Sequence, residues 1–454
     1  MRAPVPAVAD AAPAPSRPVP TLRRGATLTA GGVLDKDALW DAATVDVVED
    51  LTLIDGAVLT IAAGVTVRFH GYVGMLVRDG TILASGTPQA PILWTTSDPD
   101  AYDPGPGDAG CWNGLTFLNV PAAREPSRLE WCEFRHAKAL PGRGLDDDDP
   151  RVGGRAFRGA GGALRLVGGD PVRLTGCVFR ENSAERGGAL ATHYGASPVL
   201  SECLFLRNVG RERAGAVFAG YGRPRFVHAT LLENVCANSD VADRTAGAVD
   251  HFHASPAYLG CVVWGNVSSH VEHLQLLEAR ALDVVRCDVQ DYGLGMGGMD
   301  VDPLLSWMGD IGAGSPCVDA GDHAAAAAWL PEVDLAGRPR AMGGEIDLGC
   351  YESGAATAVA PAPASTGARA WPNPANPRVT VAWRQTVAGG ATLEVMDLAG
   401  RCVRRLDCPP TAAGERRADW DGRDARGHAC AAGTYLVRIR HPLATDQVRI
   451  VLVR

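Results

Sequence analysis

The chain has 454 residues, which allows two or three domains and a large buried core. Its net charge of -9 and pI near 5.7 argue against nucleic acid as a partner, and no run of 18 apolar residues is present to cross a membrane as a helix. The 54 glycines and 31 prolines fit a turn-dense β protein; the only lysines are Lys36 and Lys138, which reads as a coding bias toward arginine.

Residues 1–24 are rich in Pro and Ala and are expected to be a disordered leader. Ala7-Val8-Ala9 looks like the small-residue end of an export signal that lacks its charged and apolar regions. Two readings stand: a remnant of a signal that begins upstream, or a leader of a cytosolic protein.

From Thr44 the pattern is strand-like. Leu51, Leu53, Leu59, Ile61, Val65, Val67 and Phe69 alternate with polar residues, and Gly56 and Gly64 mark turns. Leu59-Thr60-Ile61-Ala62-Ala63-Gly64-Val65, then Gly86-Thr87 through Pro91-Ile92, then Trp112-Asn113-Gly114-Leu115 resemble the opening coils of secreted parallel β-helix proteins. Two acidic stretches, 98–110 and 139–159, are expected to leave the coil edge as loops. The second holds Asp146-Asp147-Asp148-Asp149, whose oxygens would suit calcium; it lacks the glycine spacing of a calcium loop, so a flexible acidic tip is the preferred reading and no cofactor is assigned.

Residues 161–266 repeat one pattern four times. Gly162, Gly188, Gly215 and Gly247 are spaced by 26, 27 and 32 residues, and each leads through a proline to an Asn: Asn182, Asn208, Asn234 and Asn266. Such a period marks stacked repeats that bury their apolar faces only against neighbours. Three short strands and three turns per repeat would make one coil of a parallel β-helix, with coils about 4.8 Å apart. The four asparagines would then form a ladder at one turn. Cys177, Cys203, Ala229 and Cys261 would form an inward stack, extended by Cys132 and Cys287. The units resemble the GGA and Phe-x-x-Asn repeats of polymorphic outer-membrane and autotransporter-type right-handed β-helices. That likeness implies the fold and leaves the activity open.

Beyond 271–291, the segments Ser315-Pro316-Cys317-Val318-Asp319-Ala320-Gly321, Asp334 to Arg340 and Ile346 to Glu352 resemble an ending common in bacterial surface β-helices. It is expected to close the last coil, with a short helix within 324–330. The twelve cysteines lack zinc-site spacing. Cys317 with Cys350, and two of Cys402, Cys408 and Cys430, are the disulfide candidates.

Residues 353–368 read as a linker. The β-helix is accordingly assigned to 25–352 and a second domain to 369–454. In the latter, Trp371-Pro372-Asn373-Pro374, Thr392 to Arg401, Trp420-Asp421-Gly422-Arg423-Asp424-Ala425-Arg426-Gly427 and Ala432-Gly433-Thr434-Tyr435 resemble the FlgD-like immunoglobulin-type β-sandwich and its relatives, the type IX secretion sorting domains. The resemblance implies export and attachment through a secretion machinery.

The fold class expected is therefore all-β: a right-handed parallel β-helix followed by a small immunoglobulin-like sandwich. Catalytic motifs are scarce. Asp283, Asp288, Asp291, Asp300 and Asp302 are acidic but form no Asp/Asp/Arg cluster in the repeats, and solvated turns explain them. His251 and His253, two apart on one strand, would share a face and could hold a metal or move a proton. A third ligand is not visible, so no metal site is assigned. Tyr194, Tyr221 and His253 each fall six residues after a repeat glycine. Stacked on the surface they would form an aromatic strip, suited to the apolar faces of sugar rings or simply to stiffening the sheet. The expectation is a monomeric protein, extracellular or on the outer surface of a bacterium, that contacts a polysaccharide or cell-surface glycan without catalysis. The rival is a polysaccharide lyase or glycoside hydrolase working in a groove on the coils.

Overall fold

The computed structural model describes residues 23–120, 126–144, 159–169, 172–238, 245–268, 276–277, 282–291, 298–306, 308–312, 314–340, 345–353, 368–371, 375, 377–385, 389–396, 402–411, 414–441 and 444–452. Asp146 to Asp149, most of the leader and most of the linker lie outside these. The chain divides into two compact units, 1–355 and 356–454.

The first unit is a parallel β-helix. Apolar residues at alternate positions face inward because strand side chains alternate sides, and neighbouring coils keep one register. Face 1 runs through Thr66–Phe69, Ile92–Thr96, Cys132–Arg135, Val178–Arg180, Leu204–Leu206, Thr230–Leu232 and Val262–Trp264. Face 2 runs through Met75–Val77, Leu115–Leu118, Leu164–Val167, Leu190–His193, Val217–Gly220 and Val249–Phe252. Face 3 runs from Ala38–Trp40 through Ser127–Glu130, Val172–Thr175, Val199–Ser201 and Arg225–Val227 to Asp283–Val285. The long strand Ala42–Leu53 serves faces 1 and 2 together, bending over their corner. A fourth short strand, absent from the expectation of three per coil, joins face 1 to face 2 in the middle coils: Ser183–Arg186, Val209–Arg213, Val235–Cys236 and Val267–Ser268.

Inside, like residues stack on like. Phe134, Phe179 and Phe205 are parallel, with ring centroids 5.0 and 4.8 Å apart. Trp94 and Phe69 continue the column toward the first coil. The repeat glycines also stack. A Cβ on Gly162 would meet the Gly188 carbonyl oxygen at 2.2 Å, one on Gly188 would meet Gly215 at 2.4 Å, and one on Gly215 would meet Gly247 at 2.2 Å. Gly74 and Gly114 continue the column backward. No side chain fits there, which is why the period is written in glycine.

Each corner is turned by one residue with a left-handed backbone, and most are not glycine. Trp131, Glu202, His228 and Arg286 turn face 3 into face 1; His136, Glu181, Arg207 and Glu233 turn the end of face 1; Asn119, Tyr194, Tyr221 and His253 turn face 2 into face 3. Such residues cost about 1 kcal/mol each, and stacking in register offsets it.

The asparagines sit at the face 1 corner, fully buried. Asn182 Nδ2 donates to Asn208 Oδ1 (3.0 Å), Asn208 Nδ2 to Asn234 Oδ1 (2.9 Å) and Asn234 Nδ2 to Asn266 Oδ1 (2.8 Å). Each amide also donates to a backbone carbonyl in the preceding coil, from Phe134 to Leu231, and each Oδ1 accepts a backbone N–H. The polar capacity of the buried amides is thereby used.

All twelve cysteines are free thiols. The disulfide expectations are overturned. Cys317 packs with Val262, Ile311 and Leu348, whereas Cys350 packs with Leu204, Leu206, Leu232 and Leu335, in two separate apolar clusters. Cys402 is exposed, Cys408 half-buried and Cys430 buried in the second unit. Along the coils, thiols act as weak donors to main-chain carbonyls: Cys177 Sγ to Leu129 O (3.1 Å) and Cys261 Sγ to Phe226 O (3.4 Å).

The segment expected to close the last coil does something else. Met299 adds one bridge beside Asp288. The chain then doubles back and covers the outside of faces 1 and 3. Gly349 N donates to Gly260 O (2.8 Å), Arg225 lies over the Trp329 ring at 4.5 Å, and Gly337 reaches Pro88 and Gln89 in an early coil. Outward positions of face 1 turn apolar where this cover lies: Glu133 and Arg135 give way to Leu204 and Leu206, then Val262 and Trp264. The short helix is His323–Ala326, capped by Asp322, whose Oδ1 accepts from Ala325 N (3.0 Å).

The 98–110 stretch is tied back as well. The buried Lys138 ammonium donates to the carbonyls of Asp103, Gly105 (3.0 Å) and Gly107, and Arg211 reaches Pro104 O (3.1 Å). Burial holds the Lys138 pKa below the usual range.

The second unit is an antiparallel sandwich. One sheet pairs Arg369–Trp371, Val379–Gln385 and Gly414–Trp420; the other pairs Cys402–Thr411, Gly389–Met396, Gly433–His441 and Ala444–Leu452. Trp383, Leu393, Val395, Trp420, Val437 and Ile450 fill the space between. Asp424 Oδ1 accepts from the backbone N–H of Arg426 and His428 (both 2.8 Å), closing the turn for which Gly427 supplies a left-handed φ of 81°.

Candidate ligand-contact strip

The aromatic strip lies at the corner from face 2 to face 3. Leu190–His193, Val217–Gly220 and Val249–Phe252 end in register, and the next residue of each coil turns outward: Tyr194, Tyr221 and His253. Because the corner backbone is left-handed, these side chains leave the alternation of the strand and project from the edge. Both tyrosines are 47% exposed. Tyr221 stacks on His253 with centroids 5.3 Å apart and planes 25° from parallel, and meets Phe252 edge-on at 5.5 Å. Below the rings, Ser197 Oγ accepts from Arg223 N (3.0 Å) and donates to Gly195 O (2.8 Å), fixing the turn that carries them. The result is a stepped row of ring faces, one per coil, on a stiff support.

His251 is not part of it. The expectation that His251 and His253 share a face assumed a strand continuing through both. The strand ends at Phe252, and the left-handed turn at His253 breaks the alternation. His251 is fully buried, with Nε2 and the Tyr258 hydroxyl 2.7 Å apart, and His253 is on the surface. The two cannot close on one metal ion.

The carboxylates of a glycan-cleaving centre are placed as follows. Asp288 is buried, accepts from Val301 N (3.2 Å) and has its pKa pushed up by burial to about 6. Asp283 is exposed on face 3. Carboxylates do converge on an arginine elsewhere: Arg340 bridges Glu202 and Glu352, and it donates to Gly349 O (2.9 Å). That cluster is sealed under the cover, where Arg340 is 4% exposed. Burial, helped by the neighbouring Asp334 and Glu352 carboxylates and opposed by the Arg340 guanidinium, pushes Glu202 up to about 8. Asp334 meanwhile holds Arg338 (2.8 Å) and Glu352 N (2.8 Å), so these acids tie the cover to itself and to the coils. Among the described residues, no group of three His, Cys, Asp or Glu could hold a metal ion, and no helix is long and apolar enough to cross a membrane.

Repeat spacing could locate the strip, since all three residues share one offset. Nothing in the local sequence announced the burial of Glu202 and His228, because it comes from a segment more than 100 residues away.

Among known proteins, no curated protein matches the chain. The crystal structure of FlgD from Xanthomonas campestris, studied for the hook capping essential for flagellar assembly, is 30% identical over 18% of this chain and 60% of its own, with a TM-score of 0.15. Residues 376–442 match the family model of the FlgD Ig-like domain. The chain is a parallel β-helix followed by a C-terminal FlgD Ig-like domain.

Proposed function

We propose that this is a secreted or cell-surface bacterial scaffold whose β-helix contacts glycans without catalysis, acting as a monomer. The observation that carries the reading is the exposed, register-locked row Tyr194, Tyr221 and His253. Sugar rings present apolar C–H faces that pack on aromatic rings, and a rigid row loses little entropy on binding. The C-terminal domain serves export and attachment, in line with the sorting-type motifs of 371–435. A glycan array tests the contact. The parent should bind a subset of glycans, and the Tyr194→Ala/Tyr221→Ala variant should lose them. No binding by the parent, or equal binding by both, rejects the reading.

A further inference from the structure

The β-helix is rich in arginine, and its outward arginines are mostly answered by acids. Arg68 meets Asp46 at 2.8 Å, Arg207 meets Glu233 at 2.9 Å, and Arg211 meets Glu185 at 2.8 Å. Three arginines depart from this. The side chains of Arg173 and Arg223 are exposed and enter no hydrogen bond or ion pair among the described residues. Arg225 lies over the Trp329 ring, with no carboxylate against it among the described residues. Arg173, Val199 and Arg225 occupy one register column of face 3, and Arg223 lies between Tyr221 and Arg225. All lie beside the tyrosine strip, on the face into which its corner turns.

In a protein of net charge -9, guanidinium groups with no acid against them among the described residues, set beside exposed rings, need an explanation. A guanidinium presents a planar fork that matches a carboxylate. A uronic acid offers both halves of the match: an apolar ring face and a carboxylate at its edge. Successive sugars in such a chain repeat at roughly the spacing of successive coils, about 4.8 Å. A strand of uronates lying along the helix axis would set its rings over Tyr194 and Tyr221 and its carboxylates toward Arg173, Arg223 and Arg225.

We propose that the ligand of the strip is a carboxylated glycan, a polyuronate, read by Arg173, Arg223 and Arg225. This rests on the glycan-contact reading above and names its ligand class.

Calorimetric titration of the full chain with a galacturonate hexamer and with the same hexamer fully methyl-esterified tests it. The ester keeps the rings and removes the charge. The acid should bind about tenfold tighter than the ester, and that preference should shrink in high salt. The Arg173→Ala/Arg223→Ala variant should keep the parent's melting temperature, because both side chains are exposed, and should lose most of the preference for the acid, with Arg225 alone remaining. Equal binding of acid and ester by the parent, or a preference undiminished in the arginine variant, overturns the proposal while leaving the contact strip standing. Binding of neither hexamer overturns the proposal, and the glycan array then decides the contact reading. The Tyr194→Ala/Tyr221→Ala variant should lose both ligands.

Discussion

Asn208→Ala should unlatch the middle of the shaft. Asn208 is fully buried and makes four ladder contacts through its side chain. Its Oδ1 accepts from Asn182 N (3.1 Å) and Asn182 Nδ2 (3.0 Å); its Nδ2 donates to Phe179 O (2.9 Å) and Asn234 Oδ1 (2.9 Å). Asn182 Nδ2 and Asn234 Oδ1 keep other ladder partners after truncation. The Asn182 N–H loses its partner, whereas the Phe179 carbonyl stays in the register of the face 1 ladder. An orphaned buried group costs about 1–3 kcal/mol, so the variant should lose roughly that much. Because stacked coils couple to nearest neighbours, the loss should be local at first. Hydrogen exchange followed by mass spectrometry reads it: peptides around residues 137, 182 and 208 should lose protection, whereas those from 58–69 should not. Unchanged protection at Asn182 with less than about 1 kcal/mol of destabilisation would refute the reasoning.

Gly188→Ala forces a Cβ to 2.4 Å from Gly215 O and should abolish soluble, folded protein, whereas Gly312→Ala, with nothing within 4 Å, should melt like the parent. Glu202 has its pKa raised to about 8 from 4.5, so its stabilising contribution is full below pH 4.5 and is lost as pH rises through 8. Glu202→Gln should flatten the fall in stability across that window in pH-dependent melting; an unchanged slope would contradict this. Thiol titration of the native protein should label Cys402 fast and Cys408 slowly, with all twelve thiols appearing on unfolding without reductant. Fewer than twelve would restore the disulfide reading.

The shaft was legible because its period is written in residues that admit few substitutes. A glycine on which a Cβ would lie 2.2 Å from the next coil's carbonyl oxygen, and an asparagine bonded above and below, repeat wherever the coil repeats. The corners were harder to read. Glu181, Arg207 and Tyr221 adopt a left-handed backbone that their side chains do not advertise, so the broken alternation at His253 went unseen and His251 was placed on the wrong side. The lateral cover left a trace, the shift of outward face 1 residues from Glu133 and Arg135 to Val262 and Trp264, but only register turns that shift into a column. Likewise the strip was visible as an offset, whereas Arg173 and Arg225 fall into one column, two coils apart, only through the pairing of face 3 with itself.

Hydrogen exchange of the full chain with and without a bound oligouronate tests the central claim most directly. Binding at the strip predicts added protection in peptides covering 190–199 and 217–227, with little change in the early coils or in the FlgD Ig-like domain. Protection confined to other regions, or none at saturating oligouronate, would contradict it.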